Sequence, residues 1–390
     1  MGRVISAILA AATAVSLLTA CGTNAKDEKY HTFYFRDNSK SKEAVVTFFN
    51  SASGETEDVK MVRSGEDDEA VTFSCEGNTE AYNMAYITYD GLTTEKFAFN
   101  KCVSGWCSSD SGFLPYTQGE KIDYSGDFDD VTLSCNDHDK TVHIRKPADY
   151  DADSEEKYST VYVLDGNSMV WLGFDAMDLS GCELADAQVE AMSSVTGKKA
   201  IVVAVETFGD NNNYTRDDEL IPDLGKMAHE EGISKKKAKV TSDFIGETLI
   251  PYVQEHYNVY ADAAHTSIAG VSLGGLGAFY IAMENPDKIG TVGSMSPSFW
   301  TYDDDAWRKY LGEKSIGEDS PFVYIYTGGK NDTGKEATEM YERLKDMGYP
   351  QDKLAFHYNE NGGHSVPFWR TVFSEFLTAM MFGRVEALQK

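Results

Sequence analysis

The feature that most constrains the fold is a regular alternation of short apolar runs with helix-like patterns after residue 130. The runs at residues 160–164 and 201–205, TVYVL and IVVAV, are continuously apolar, as in strands covered on both faces of a parallel sheet. Strand and helix patterns then alternate towards the carboxyl terminus. This alternation predicts an α/β fold with a doubly wound, mostly parallel sheet over residues 127–390.

The same patterns locate the individual elements of this sheet. An edge hairpin is expected at residues 131–135 and 141–146. The further strands are expected at residues 266–270, 289–295, 322–327 and 353–358, and the helices at residues 184–194, 240–257, 273–283, 336–347 and 367–382.

The amino-terminal region has a different pattern, with short aromatic and β-branched runs separated by Gly- and Asp-containing turns. The runs lie at residues 32–35, 45–50, 84–89 and 95–99. They predict a small β-sandwich-like accessory domain over residues 21–106 and a linker over residues 107–126. Exposed aromatic rings would let such a domain stack on sugars, although core packing explains the same residues: Tyr82, Tyr86, Tyr89 and Trp106.

The first twenty residues predict an export signal. Residues 4–18 are uncharged and follow Arg3, and they are too few to span a bilayer comfortably. The sequence Leu-Thr-Ala-Cys ending at Cys21 resembles a bacterial lipoprotein cleavage box, which would place a lipid anchor on Cys21. Myristoylation at Gly2 and an ordinary cleaved signal are the alternatives. We expect a protein anchored on the extracytoplasmic side of the membrane in a bacterial cell envelope.

Charge, cysteine content and ligand spacing argue against a nucleic-acid partner, a complete set of disulfides and a bound metal. The chain carries 35 basic and 63 acidic residues, a net charge of −28, so no nucleic-acid partner is expected. It has six cysteines, and lipidation of Cys21 would leave an odd number, so they cannot all form intramolecular disulfides. No zinc-binding spacing occurs. The acidic run Asp149, Asp151 and Asp153 lacks the Gly and Glu of a calcium loop, so no metal is expected.

A Gly-x-Ser-x-Gly motif, Gly270 to Gly274, lies between a predicted strand and a predicted helix. A sharp, strained turn at this position lifts the serine hydroxyl above the sheet, as a nucleophile requires. The motif therefore predicts Ser272 as a nucleophile. The alternative is a tight turn whose serine only caps the helix.

A serine nucleophile needs a histidine base and a carboxylate that orients it, and on this fold they follow in the order Ser, acid, His. His364 follows Gly362 and Gly363 in the loop after the strand expected at residues 353–358. Asp332 lies in the loop after the preceding strand. Glu336 and Glu360 compete with Asp332 for the acid, and the alternative for His364 is a surface loop histidine.

Ester cleavage also needs donors that stabilise an oxyanion. The backbone N–H of Leu273 is one candidate because it directly follows the nucleophile. The second is expected from the loop after residue 164, where Asn167 is the candidate and its neighbours are alternatives.

Three motifs together carry a resemblance: residues 161–166 (VYVLDG), 270–275 (GVSLGG) and 362–364 (GGH). In this order they resemble the putative-esterase family of α/β-hydrolases, which includes feruloyl and acetylxylan esterases and enterochelin-type siderophore esterases. The resemblance covers residues 127–382. It implies no cofactor, and it implies the triad and oxyanion donors named above: Ser272, Asp332, His364, Leu273 and Asn167.

The resemblance also suggests substrate-binding residues. Arg216 lies in a segment similar to the Arg-containing loop of siderophore-type members, where it would meet an acidic or phenolic substrate. Pairing with an acidic neighbour is the alternative. Trp300 and Trp369 would line an acyl or sugar pocket, or belong to the core.

We therefore expect a serine carboxylic-ester hydrolase whose substrate is a polysaccharide-linked feruloyl or acetyl ester. A siderophore esterase or an acyltransferase is the alternative within catalysis. A non-catalytic binding lipoprotein on a hydrolase scaffold is the alternative from another class.

Overall fold

The computed structural model describes most of the chain from residue 29 to residue 382. The residues outside the description in this range are 95, 100–104, 110, 111, 116–127, 137, 148, 149, 167–188, 190, 191, 194, 208–214 and 229–234. The predicted signal, Cys21 and Asn167 thus lie outside the described residues.

The amino-terminal region forms two antiparallel-rich sheets. Its described strands are β1 Tyr30–Asp37, β2 Ala44–Phe49, β3 Thr56–Lys60, β4 Val62–Glu66, β5 Val71–Asn78, β6 Met84–Tyr89, β7 Leu92–Thr93, β8 Phe97–Ala98, β9 Gly105–Ser109 and β10 Gly112–Pro115. One sheet has the order β10-β9-β1-β5-β4. The other has the order β3-β2-β6-β7, with β8 also paired to β6. An apolar cluster that includes Phe33, Phe48 and Ile87 fills the space between them.

The structure corrects two expectations for this region. Strands β3, β4, β5 and β7 were not predicted. Strands β3 and β4 are largely exposed and carry charged residues, so they lack the apolar alternation of a half-buried strand. The sheet also continues past residue 106. Strand β9 pairs with β1, and β10 pairs with β9, so part of the predicted linker is strand.

The second region contains one eight-stranded sheet. Its strands are β11 Phe128–Cys135, β12 His138–Arg145, β13 Ser159–Leu164, β14 Ala200–Val205, β15 Thr266–Val271, β16 Thr291–Met295, β17 Phe322–Lys330 and β18 Leu354–Gly363. Their order is β11-β12-β14-β13-β15-β16-β17-β18. The pairs from β14 to β18 are parallel, and β11 and β12 form the antiparallel edge. The predicted α/β fold with a doubly wound, mostly parallel sheet is confirmed.

Helices follow most of the parallel strands. The described α-helices are α1 Arg216–Leu220, α2 Ala238–Asp243, α3 Ile250–His256, α4 Leu273–Glu284, α5 Asp304–Gly312, α6 Gly334–Asp346 and α7 Val366–Phe382. The single helix expected at residues 240–257 has a π-helical segment, Phe244–Leu249, between α2 and α3. No helix in the described part of the chain has the length and apolar composition to cross a membrane.

Both faces of the large sheet are buried, which explains the continuous apolar runs. In β13, Tyr162 and Leu164 belong to a cluster with most of the helices, whereas Val161 and Val163 belong to the cluster on the opposite face. That second cluster contains α7 and also Phe49 of β2. The amino-terminal sheets are therefore packed against the same face as α7.

Candidate active site

Ser272 occupies the turn between β15 and α4 with φ +59° and ψ −123°. A non-glycine residue rarely adopts such a conformation, which costs about 1–3 kcal/mol and is characteristic of functional turns. The turn needs glycine at position 270, because a Cβ there would lie 2.1 Å from the Gly274 carbonyl oxygen. The Ser272 N–H donates to the Met295 carbonyl (2.9 Å), which fixes the turn to the end of β16.

The structure brings the three predicted catalytic residues into one hydrogen-bonded chain. The Ser272 Oγ lies 3.1 Å from His364 Nε2, and His364 Nδ1 lies 2.8 Å from Asp332 Oδ1. A carboxylate only accepts hydrogen bonds, so the imidazole proton resides on Nδ1 and leaves Nε2 to accept the serine proton. The imidazole is one-third exposed, whereas the Asp332 side chain is fully buried.

Donors surround the Asp332 carboxylate on both oxygens. Oδ2 accepts from the Gly328 N–H (2.6 Å) and the Ser296 hydroxyl (2.7 Å), and Oδ1 also accepts from the Thr333 N–H (2.8 Å). Burial by itself raises the pKa of the Asp332 carboxyl group. The hydrogen bonds from His364, Ser296, Gly328 and Thr333 outweigh burial and lower this pKa below its usual value.

The two competing acids do not reach the imidazole nitrogens. Both ring nitrogens of His364 already have Asp332 and Ser272 as partners. Glu360 is exposed on β18, and Glu336 lies in the first turn of α6.

Strands β17 and β18 are longer than predicted. Asp332 therefore lies two residues beyond the end of β17, and His364 directly follows the end of β18.

One of the two predicted oxyanion donors lies among the described residues. Leu273 is the first residue of α4, and the first N–H groups of a helix have no partner within it. The Gly166 N–H cannot serve because it donates to the Val205 carbonyl (2.8 Å). Asn167 lies outside the described residues, so its role stays a prediction.

The structure pairs Arg216 with a buried carboxylate. Its Nε and Nη2 donate to the two oxygens of Asp165, each at 2.7 Å, and Nη2 also lies 3.3 Å from the Val271 carbonyl oxygen. Arg216 thus connects the loop after β13 to the residue before Ser272. Its predicted substrate contact has no support from this geometry, because these guanidinium nitrogens are already engaged within the protein.

The two candidate aromatic residues have different surroundings. Trp300 is 38% exposed in the turn Phe299–Thr301, and this turn follows Ser298, whose N–H donates to the Ser272 carbonyl (3.1 Å). Trp369 is 7% exposed, and its indole N–H donates to the Ser296 hydroxyl (2.8 Å). Trp300 therefore remains a candidate substrate-binding residue because it is exposed, whereas Trp369 is buried against the His364 ring.

Sequence reasoning did not identify Ser296. It directly follows β16 at the carboxyl edge of the sheet and has φ +45°. Its position could have identified it, because Ser296 is a polar residue at the carboxyl end of a buried strand, and ligands bind at this edge of parallel sheets.

The remaining sequence candidates are the acidic run at residues 149–153 and the aromatic residues of the amino-terminal region. In the described part of the chain, no group of three or more His, Cys, Asp or Glu side chains could hold a metal ion. Asp149 lies outside the description. Three of the four aromatic candidates are partly buried against apolar clusters: Tyr82 stacks on Phe48, Tyr86 lies against Phe49, and Tyr89 against Phe35. The Trp106 side chain lies outside the described residues.

Sequence comparison connects this geometry to known proteins. The family model Esterase, described as Putative esterase, matches residues 135–380. The uncharacterized protein YbbA of Bacillus subtilis (strain 168) is 25% identical over 127 residues, which cover 31% of this chain and 50% of YbbA. The chain thus spans about half the length of this curated relative.

Solved structures share the fold over both regions of the chain. The enterochelin esterase of Shigella flexneri has a TM-score of 0.51 and 14% identity, covering 90% of this chain and 92% of its own. The ferric enterobactin esterase of Salmonella typhimurium has a TM-score of 0.50 and 14% identity, covering 93% of this chain and 96% of its own.

Proposed function

The chain belongs to the Putative esterase family, and from this premise we propose that it hydrolyses carboxylic esters with Ser272 as the nucleophile. The observation that carries the proposal is the chain of contacts from Ser272 Oγ to His364 Nε2 (3.1 Å) and from His364 Nδ1 to Asp332 Oδ1 (2.8 Å). A serine, a base and an orienting carboxylate at hydrogen-bonding distances form the unit that acyl transfer requires.

Acylation follows from this arrangement. Ser272 Oγ attacks the ester carbonyl while His364 Nε2 accepts its proton, and Asp332 stabilises the imidazolium that forms. The negative charge on the carbonyl oxygen is stabilised by the Leu273 N–H and by a second donor, for which Asn167 is the candidate. The imidazolium then protonates the leaving alcohol, the carbon–oxygen bond breaks, and the acyl group stays on Ser272.

Deacylation repeats these steps with water. His364 accepts a proton from the water molecule as its oxygen attacks the acyl-enzyme, and it then returns the proton to Ser272 Oγ. The acid product leaves and the free enzyme is restored. A sugar hydroxyl in place of water would give an acyltransferase, and the same residues would catalyse it.

For the substrate, we favour feruloyl or acetyl esters linked to polysaccharide. Trp300 supports this choice, because an exposed indole beside the nucleophile's turn can stack on an aryl or sugar ring. The net charge of −28 also favours neutral esters, since it repels an anionic substrate. The packing of Tyr82, Tyr86 and Tyr89 against apolar clusters weakens the argument for sugar binding by the amino-terminal sheets.

A siderophore ester is the second candidate. The enterobactin esterases share the fold over at least 90% of this chain, which includes the amino-terminal sheets. A ferric catecholate is anionic, so its binding would need cationic side chains close to Ser272. Arg216 is the cationic candidate from the sequence, and its pairing with Asp165 weakens this alternative.

For the location, we propose a lipid anchor on Cys21 at the extracytoplasmic face of the membrane. The support is the uncharged run at residues 4–18 and the cleavage-box sequence that ends at Cys21. Metabolic labelling with a palmitate analogue tests it: wild type should be labelled and membrane-bound, and Cys21→Ser should be unlabelled. Labelling of both proteins would contradict the proposal.

Chromogenic acetate hydrolysis by wild type and Ser272→Ala tests the enzymatic proposal. The variant should lose at least about 10³-fold in kcat, because the nucleophile is absent. An inactive wild type would favour the non-catalytic binding protein instead. Methyl ferulate, acetylated xylan and a catecholate siderophore, compared by kcat/KM, then separate the substrate classes.

A further inference from the structure

Trp369 contacts the catalytic group from two directions. Its ring lies edge-on to the His364 imidazole, with centroids 4.8 Å apart and planes at 88°. Its indole N–H donates to Ser296 Oγ (2.8 Å), and the Ser296 hydroxyl lies 2.7 Å from Asp332 Oδ2. One side chain thus touches the base directly and reaches the acid through a single hydroxyl.

The chemistry of these groups fixes the direction of both hydrogen bonds. An indole N–H is only a donor and an ionised carboxylate is only an acceptor, whereas a hydroxyl has one proton and two lone pairs. Ser296 must therefore accept from Trp369, and its single proton points to Asp332. Without the indole, the hydroxyl could rotate to other acceptors.

The position of Trp369 is itself fixed by the protein around it. It lies on α7, which starts two residues after His364, and it belongs to an apolar cluster with Phe373 and Phe376 of the same helix. Phe49 and Met84 from the amino-terminal sheets belong to the same cluster. These sheets thus support the helix that carries Trp369.

We propose that Trp369 and Ser296 are positioning residues for the catalytic acid: the indole orients the Ser296 hydroxyl, and this hydroxyl holds Asp332 in the rotamer that meets His364 Nδ1. The inference rests on the proposed function, because it assigns Asp332 the role of orienting the base. It also gives the amino-terminal sheets a part in supporting the site.

The test compares Ser296→Ala, Trp369→Phe and the double variant in ester hydrolysis. Each single variant should lower kcat about tenfold and change KM less than twofold, since an interaction with a buried charge is lost and the substrate pocket is unaltered. The double variant should fall about as far as Ser296→Ala alone, because both changes remove the same hydrogen-bonded arm.

The pH profile provides a readout that a general loss of structure would not move. With one donor fewer, the Asp332 charge attracts the imidazolium more strongly, so the acid limb of kcat/KM should shift to higher pH. The other charged or titratable groups on the elements packed around this site are unchanged in all variants; they include Lys330, Lys335, Glu336, Glu360, and the His357–Glu375 pair.

Tyr349→Phe is the matched control, because it removes another buried aromatic hydrogen bond, to the Pro321 carbonyl (2.6 Å), away from the triad. It should leave kcat and the pH profile unchanged.

The inference would be overturned if the losses in kcat of the two single variants added in the double variant and the acid limb of kcat/KM did not shift. It would also be overturned if the variants were as active as wild type. An inactive wild type would instead overturn the proposed function, and this inference with it. If Trp369→Phe fails to fold, Ser296→Ala decides the question through its pH profile.

Discussion

Arg216 donates one hydrogen bond to each carboxylate oxygen of Asp165, and its Nη2 also lies 3.3 Å from the Val271 carbonyl oxygen, so it joins the loop after β13 to the turn that carries Ser272. Asp165 is buried with φ +61°, and it also accepts from the Thr207 hydroxyl. Gly274 makes room for this pair, since a Cβ there would lie 2.6 Å from Asp165 Oδ2. The pair thus sets the separation between the two loops that would supply the oxyanion donors.

Arg216→Lys should therefore lower kcat about tenfold with little change in KM, because an ammonium group cannot make the two parallel hydrogen bonds. Arg216→Met should also lower stability by about 3–5 kcal/mol, since it leaves the buried Asp165 charge unpaired. Steady-state kinetics and urea unfolding measure the two effects. Arg308→Lys, at an exposed ion pair with Asp304, is the control and should change neither. A rise in KM alone would instead indicate that Arg216 contacts substrate.

Asp332→Asn should lower kcat about 10⁴-fold, because the amide no longer holds the imidazole in the tautomer that accepts the serine proton. Glu360→Gln and Glu336→Gln are the matched controls, since these residues compete with Asp332 in the sequence and do not partner His364 in the structure. Both should retain kcat within about twofold. A large loss in either control would assign the acid to that residue.

Ser272→Gly should be at least as stable as Ser272→Ala. Alanine keeps the strain of φ +59°, about 1–3 kcal/mol, whereas glycine adopts this conformation freely. The gain is reduced by the extra entropy that glycine loses on folding, about 0.5–1 kcal/mol. Thermal unfolding of the two inactive variants measures the difference, and a less stable glycine variant would show that the turn stores little strain.

Stability at low pH should depend on Glu375, which is buried on α7 between the His357 imidazole and the Tyr324 hydroxyl, each at 2.6 Å. Burial raises the pKa of Glu375, but the charge and hydrogen bond of His357 and the Tyr324 hydroxyl lower it overall. A lowered folded-state pKa means that this stabilisation is complete above the unfolded value of about 4.5 and is lost as the pH falls through the folded value.

Glu375→Gln should accordingly cost about 3–5 kcal/mol at pH 7, and the difference from wild type should shrink below pH 4.5. Urea unfolding at pH 7 and pH 3.5 measures this dependence. An equal difference at both pH values would show that folding does not lower the pKa of the Glu375 carboxyl group.

Much of the fold, and the positions of Ser272, Asp332 and His364 at one edge of the sheet, could be predicted from local patterns. A few consecutive residues were enough to predict the buried strands β13 and β14 and the tight turn at Ser272, because strand burial and turn geometry depend on local sequence. The order Ser, Asp, His could be predicted since each residue follows a recognisable strand at the same edge of the sheet.

The partners of the site residues required the tertiary structure. Ser272 and His364 lie 92 residues apart, and Arg216 and Asp165 lie 51 apart, so no local pattern relates them. The choice of Asp332 over Glu360 depends on the bulged pairing of β17 with β18, and the contact of Trp369 with Ser296 depends on how α7 packs. Local sequence determined the turns and strand ends where reactive groups lie, whereas long-range packing decided which of these groups meet. The physical reason is that turn geometry and the periodicity of apolar residues are set by a few consecutive residues, whereas hydrogen bonds between strand ends depend on the strand order of the whole domain.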